Sequence, residues 1–160
     1  MAISKIVQDS INGGVVGTGQ AFFGYPPASN QSITNGTWTK VTLTSTTWTS
    51  TASSGYVSGS SRFVAPVAGY YYFAGSAYFA SSTAMTTAKL ALYLNGSAQA
   101  YGPFPGQLAT TDTVTTVTNM MQLAAGDYVE LYAITAGGTG QVVAQYSSYT
   151  YLQGILLKAA

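Results

Sequence analysis

The stretch Phe63–Phe73, FVAPVAGYYYF, decides the fold class. Its proline and glycine, followed by four consecutive aromatic residues, do not suit an amphipathic helix, whereas aromatic residues favour strands. Side chains alternate between the two faces of a strand. We therefore expect Tyr71, Phe73 and Phe79 to point into a core together with Phe63, on one face of a single long strand. Tyr70, Tyr72 and Tyr78 then lie on the opposite face, which a monomer leaves unexplained.

The rest of the chain from Ala21 onward repeats short alternating segments. Asn95-Gly96 is a strong hairpin signal, and Gly126-Asp127 is a second turn. Helix-forming residues at a spacing of 3.6 are nearly absent, and about eight to ten strands predict an all-β sandwich or barrel. The alternating sets are Val41 and Leu43; Leu90, Leu92 and Leu94; Val129, Leu131 and Ala133; and Leu152, Gly154 and Leu156.

The first twenty residues differ from the remainder, so we divide the chain into an N-terminal arm (1–20) and one domain (21–160). Ile3, Ile6, Val7 and Ile11 are spaced roughly as on a helix, and a glycine-rich segment follows them. One interpretation is a frayed terminus, which is common. The other is an arm whose isoleucines and valine dock on a partner, because so short a helix is not stable alone.

Composition excludes several classes of function. Only 6% of the 160 residues are charged and the net charge is +1, so there is no electrostatic footprint for nucleic acid. The N-terminus lacks the pattern of a secretory signal, and no apolar run reaches the ~20 residues that span a bilayer. We therefore expect no nucleic-acid partner and no membrane.

Catalysis and cofactors are not expected either. The chain has no histidine and no cysteine, which rules out a Ser-His-Asp triad and thiolate or imidazole ligands for a metal. Paired-carboxylate chemistry needs two converging acids. Asp127 and Glu130 fall on opposite faces of one strand, Asp112 fits a solvated turn, and the remaining acid is Asp9. We predict that the protein is not an enzyme and carries no metal or other cofactor.

Several motifs resemble one family in the right order. SRFVAPVAGYYYF is similar to the F-x-x-P-x-x-G-x-Y-x-F signature of the complement q-subcomponent and tumour-necrosis-factor-like (TNF-like) jelly rolls. LALYLNG, MMQLAAGDYVEL, LQGILL and GQAFFGY resemble further strands of that family, so that the match spans about Gly19–Lys158. Leu152 stands where the family usually has phenylalanine. The chain has no collagen-like stalk and no acidic cluster for the calcium site of some relatives.

The resemblance implies an antiparallel jelly-roll β-sandwich of about ten strands that forms a homotrimer. Sister copies would then cover the second aromatic face; the alternative is that those tyrosines line a polar outer face with their hydroxyls in water. The candidates for the trimer interface are Tyr70, Tyr72, Tyr78, Tyr93 and Tyr132. Phe104, in the proline-stiffened loop Tyr101–Asp112, either folds back on its own sandwich or contacts a partner or ligand.

The N-terminal segment ISKIVQDSINGG resembles segments at the start of bacteriophage tail-fibre and other virion proteins. This resemblance implies a virion protein that is made in the host cytoplasm and released by lysis. The first hypothesis is a capsid decoration or cement protein, whose arms dock on the major capsid protein or another virion protein. The second is the receptor-binding head of a tail fibre or spike, with a host glycan as its ligand.

Overall fold

The computed structural model describes residues 20–49, 55–103 and 110–160, with side chains of residues 48 and 49 left aside. The predicted docking residues Ile3, Ile6, Val7 and Ile11 and the loop residue Phe104 lie outside the described residues. Their roles, like the boundary between arm and domain, remain predictions.

The described residues form antiparallel strands and a single turn of 3-10 helix at Ser58–Ser60, without an α-helix. No helix in these ranges has the length and apolar character needed to cross a membrane. This confirms the predicted all-β class; several of the strands are two-residue pairings beside the longer ones. The strands are β1 (Ala21–Tyr25), β2 (Gln31–Ser32), β3 (Thr39–Lys40), β4 (Ser45–Thr49), β5 (Tyr56–Val57), β6 (Arg62–Val64), β7 (Gly69–Leu94), β8 (Ser97–Tyr101), β9 (Thr110–Leu123), β10 (Tyr128–Gly137), β11 (Val142–Val143) and β12 (Tyr151–Ala159).

Strand β7 builds both layers of the sandwich. Its residues 69–80 pair with β12 and β9, and β12 continues to β1 and β4. Its residues 85–94 pair with β10 and β8, and β10 continues to β6 and β5. The sheet therefore curls at the middle of β7, and the two layers pack face to face as in a jelly roll.

The core lies between these layers and follows the alternation of the strands. Tyr71, Phe73 and Phe79 are fully buried on β7, as expected from the sequence. Phe63 is buried too, but it lies on β6, and residues 65–68 separate it from β7. The prediction of one long strand was therefore wrong for Phe63, whose ring reaches Tyr71 from the opposite layer at a centroid distance of 5.3 Å.

The predicted strand around Val41 and Leu43 is interrupted. β3 pairs with β10 in the second layer, whereas β4 pairs with β1 in the first, so residues 41–44 carry the chain between layers. The backbone N–H of Val41 donates to the carbonyl of Leu131, and that of Leu43 donates to Ser61 Oγ. Both side chains are fully buried. The alternation therefore predicted the burial of Val41 and Leu43 correctly, but residues 41–44 do not form the predicted strand.

Both predicted turns are present. Asn95 and Gly96 have positive φ values of 49° and 80° between β7 and β8, as a type I′ hairpin turn requires. Gly126 has a φ of 91° between β9 and β10. Asp127 beside it accepts hydrogen bonds from Asn95 Nδ2 and the Ala124 N–H, which lower its pKa, so the carboxylate ties the two turns together.

Replacing Gly154 by alanine is expected to destabilise the sandwich by about 1–3 kcal/mol through overpacking. A Cβ there would lie 2.7 Å from a Phe73 ring carbon and 2.8 Å from one of Phe22. Gly59→Ala is the matched control, because nothing lies within 4 Å of its Cβ position. Urea unfolding at equal protomer concentration measures both. Equal stability of the two variants would contradict the proposed packing.

Candidate interaction surfaces

An apolar face on the outside of the first layer surrounds Tyr72. In the strand register, Tyr72 lies opposite Met120 on β9 and Ile155 on β12. Met120 is 61% exposed, Tyr72 40% and Ile155 39%. We call this surface the Tyr72 face; it consists of Tyr70, Tyr72, Met120, Ile155 and Leu157.

A shallow cleft of about 270 Å³ adjoins the Tyr72 face, between β1 and β7 across β12. Ala21 and Phe22 line one side, Tyr72 lies at the other, and Gly154 lies between them. A Cβ at Gly154 would point into the core, toward the rings of Phe73 and Phe22, so the glycine serves the packing beneath the cleft. The Tyr72 face is therefore apolar and adjoins a depression into which a complementary surface can fit.

The five predicted interface tyrosines do not share one surface. Tyr70, Tyr72 and Tyr78 project outward from the first layer, whereas Tyr93 and Tyr132 lie on the outside of the second. The predicted interface residues are therefore divided between two opposite surfaces, and a single contact with one neighbouring copy does not cover both.

Tyr93 and Tyr132 belong to an aromatic cluster on the second layer. Their rings stack at a centroid distance of 4.0 Å, and Trp38 lies 6.2 Å from Tyr93 and 5.8 Å from Tyr101. We call Trp38, Tyr93, Tyr101 and Tyr132 the Trp38 cluster. Tyr101 is 62% exposed, whereas Ala91, on the same face of the layer, is fully buried. The cluster thus covers Ala91 with partly buried rings and leaves the ring of Tyr101 exposed. Burial raises the pKa of Tyr93 and Tyr132, in keeping with their cover.

The sequence did not point to Trp38 as a member of this cluster. It lies in a loop 55 residues before Tyr93 in the chain, and only the pairing of β3 with β10 brings it close. Its size was the available signal, since a large aromatic residue beside a strand usually has a packing partner.

Tyr78 has different neighbours from Tyr72. Its ring lies 5.8 Å from that of Tyr146 and 6.0 Å from that of Tyr149, and its hydroxyl donates to Asp112 Oδ1 at 2.8 Å. The hydrogen bond to Asp112 is the main cause of the raised pKa of Tyr78. We call these four residues the Tyr78 cluster. Asp112 lies within β9, which corrects its prediction as a turn residue.

The carboxylates have structural partners. Glu130 lies on the face of β10 opposite Val129 and Leu131, but it is only 5% exposed and does not extend into solvent. Lys40 Nζ lies 3.2 Å from Glu130 Oε1 and also donates to the Ser60 carbonyl at 3.1 Å. The Tyr132 hydroxyl is 3.4 Å from Glu130 Oε2. Glu130 therefore holds β3 and residue 60 against β10.

A metal centre is not evident in the part of the chain that the structure describes, where no three Asp or Glu side chains come together. Asp127 bonds to the turns, Asp112 to Tyr78, and Glu130 to Lys40. The features suited to recognition in these ranges are the two outer aromatic surfaces and the Tyr78 cluster.

The architecture defines the chain as a C1q/TNF-like jelly-roll module. The family model of the C1q domain matches residues 30–157, so the chain belongs to the C1q domain family. No curated protein matches the sequence significantly. The predicted family and fold are thereby confirmed, and domains of this kind are generally non-enzymatic structural or ligand-binding modules.

Solved structures share the fold at low identity. The globular domain of zebrafish complement 1qA superposes with a TM-score of 0.61 and 18% identity, covering 88% of this chain and 98% of that one. Murine APRIL at pH 5.0 gives 0.65 and 11%, covering 86% and 98%. Eiger TNF from S. frugiperda gives 0.64 and 12%, covering 88% and 93%.

We expect Lys40→Met to destabilise the protein by more than the ~1 kcal/mol of an exposed ion pair, because it leaves the Glu130 carboxylate buried without its cation. The double variant Lys40→Met/Glu130→Leu should recover part of that loss. Urea unfolding of the two single variants and the double variant gives the coupling free energy. Strictly additive losses would show that the ion pair contributes nothing.

Proposed function

We propose that the chain forms a homotrimer through the Tyr72 face. Members of the C1q/TNF-like family form homotrimers. The apolar side chains of this face are roughly half exposed in a single copy, and such patches commonly mark interaction sites. Fully burying a large apolar side chain gains ~1.5–3 kcal/mol, so half-exposed ones gain about half of that in each copy.

Tyr93 and Tyr132 do not belong to the trimer contact that we propose at the Tyr72 face. They lie on the second layer, with the core between them and the Tyr72 face. Their stacked rings already cover one another. We therefore assign the Trp38 cluster to the outward surface of the trimer.

We further propose that this trimer is a non-enzymatic bacteriophage virion protein that decorates and stabilises the capsid. Its support is the N-terminal resemblance to virion proteins and the apolar arm residues Ile3, Ile6, Val7 and Ile11. Three arms from one trimer would engage neighbouring capsid subunits together. Each arm can then bind weakly while the trimer stays bound, because the second and third contacts form at high effective concentration.

One observation favours a second function, the receptor-binding head of a fibre or spike. Tyr101 presents a ring that is 62% exposed on the outward surface, next to Trp38. Pyranose rings stack their C–H faces on aromatic side chains of this kind. Under this alternative a host glycan would bind at the Trp38 cluster.

Introducing charge into the Tyr72 face tests the trimer. The double variant Tyr72→Glu/Ile155→Glu should dissociate it, because each interface would bury uncompensated carboxylates. Sedimentation equilibrium at micromolar concentration should give trimers for the native chain and monomers for the variant. Tyr101→Glu, on the other layer, is the control and should remain trimeric. A monomeric native chain would overturn the assignment.

Deleting residues 1–14 tests the decoration role. We expect an intact trimer that no longer binds purified capsids lacking the protein, as measured by co-sedimentation. Full binding by the truncated trimer would refute docking through the arm. A copy number of hundreds per virion on a stained gel would favour the capsid, whereas some tens or fewer would favour the fibre head.

A further inference from the structure

The Tyr78 cluster lies outside the Tyr72 face that we assign to the trimer contact. It lies on the first layer, six residues along β7 from Tyr72, which in an extended strand is about 20 Å. Strand β12 begins at Tyr151, which pairs with Ser76, so no residue of β12 pairs with Tyr78. The cluster therefore occupies one end of the layer, beyond the Tyr72 face.

The loop between β11 and β12 is held to Tyr78 by hydrogen bonds to the Tyr78 backbone. The N–H of Tyr78 donates to Thr150 Oγ1 at 3.1 Å, and its carbonyl accepts from the N–H of Ala144 at 2.9 Å. These bonds occupy both backbone groups of Tyr78 where β12 no longer pairs with it. Because Thr150 is fully buried, this anchor is fixed within the fold.

The same loop has hydrogen bonds within itself and one hydrogen bond to the loop that contains Asn30. The N–H groups of Tyr149 and Thr150 both donate to the carbonyl of Tyr146, at 3.0 and 2.8 Å. The N–H of Gln145 donates to Asn30 Oδ1 at 3.0 Å. The backbone positions of Tyr146 and Tyr149 are thus set before any ligand arrives, which lowers the entropy cost of binding.

The three rings are inclined to one another and accessible. Tyr146 stands nearly perpendicular to Tyr78, at 83°, and Tyr149 is inclined at 42°. Tyr146 is 55% exposed and Tyr149 51%. A cation is attracted to an aromatic face within about 6 Å of the ring centroid, and rings spaced this closely allow one cation to reach more than one of them.

Asp112 adds a negative charge to these rings. Its Oδ1 accepts from the Tyr78 hydroxyl at 2.8 Å, and its Oδ2 accepts from Thr111 Oγ1 at 3.2 Å. Both bonds hold the carboxylate beside the ring of Tyr78. A carboxylate at the hydroxyl end of Tyr78 adds negative charge to the cluster, which favours a cation over a neutral ligand. One carboxylate is too few ligands for Ca²⁺, which takes six to eight oxygens.

We propose that the Tyr78 cluster binds a quaternary trimethylammonium group of the kind that choline carries. Such a cation presents methyl groups to the rings and is weakly hydrated, so it loses little on leaving water. A primary ammonium is compact and strongly hydrated and should bind more weakly. Tyr78 then belongs to a ligand site and not to the trimer contact, whether the protein is a capsid decoration protein or a fibre head.

Titration of the full-length protein with choline, followed by NMR chemical shifts, tests this assignment. We expect saturable shifts at millimolar choline that are confined to the Tyr78 cluster and the loop residues 144–150. The neutral isostere 3,3-dimethylbutan-1-ol should produce none at the same concentrations, and butylammonium should bind at least severalfold more weakly. Equal responses to choline and the isostere, or no response to choline at 50 mM, would overturn the proposal.

Variants assign the effect to particular groups. Tyr149→Ala and Tyr146→Ala should each weaken choline binding by about three- to thirtyfold, while Tyr149→Phe keeps the ring and should stay within about twofold. Asp112→Asn should weaken it severalfold, and Tyr101→Ala on the other layer should leave it unchanged. Thermal unfolding confirms that each variant folds. Unchanged binding in folded Tyr149→Ala and Asp112→Asn would contradict the site.

Two sources of the group are distinguished by a final comparison. Phosphocholine in solution and vesicles of phosphatidylcholine carry the same cation, free in one case and at a lipid surface in the other. Binding to both indicates that the cluster reaches a membrane headgroup, and binding to phosphocholine alone indicates a soluble or polymer-borne ligand. Binding to neither contradicts the proposal.

Discussion

The structure depends on aromatic packing between the two layers around Phe22. Its ring stacks on Phe63 at 5.1 Å and on Tyr56 at 4.8 Å, and it also contacts Phe73. Phe22 belongs to the first layer, whereas Phe63 and Tyr56 belong to the edge of the second. These rings fix the separation of the layers, and they leave no room beside them for a side chain at position 154.

That packing determines which residues of β7 face outward, and hence where the recognition surfaces lie. In the first layer the buried hydrophobic residues of β7 are odd-numbered, such as Tyr71 and Phe73, so Tyr72 projects outward. The register shifts between Ala80 and Met85, where the strand turns the corner. In the second layer Leu92 is buried, and the odd-numbered Tyr93 projects outward. One continuous strand therefore supplies aromatic residues to two surfaces that are separated by the core.

The low content of charged residues limits how these surfaces can bind a partner. With 6% charged residues, long-range electrostatics contributes little, and affinity has to come from rings, hydroxyls and shape. The few carboxylates described have specific structural tasks: Glu130 secures β3, and Asp127 joins two turns. Asp112 differs from them, because it lies in an exposed aromatic cluster where its charge can act on a ligand.

The sequence by itself determined the all-β class, the family, both turns and the burial of the alternating sets such as Leu90 and Leu92, because these follow from alternation and local turn chemistry. It did not point to the burial of Phe22 or Met85. It could not separate Tyr93 from Tyr72, since that depends on a register shift at a corner, and it could not join Trp38 to Tyr93 or Tyr146 to Tyr78. Such groupings come from pairings between strands that are distant in the chain. Only the tertiary structure decided them, because backbone hydrogen bonds across the sheet, and not local preference, set which side chains meet.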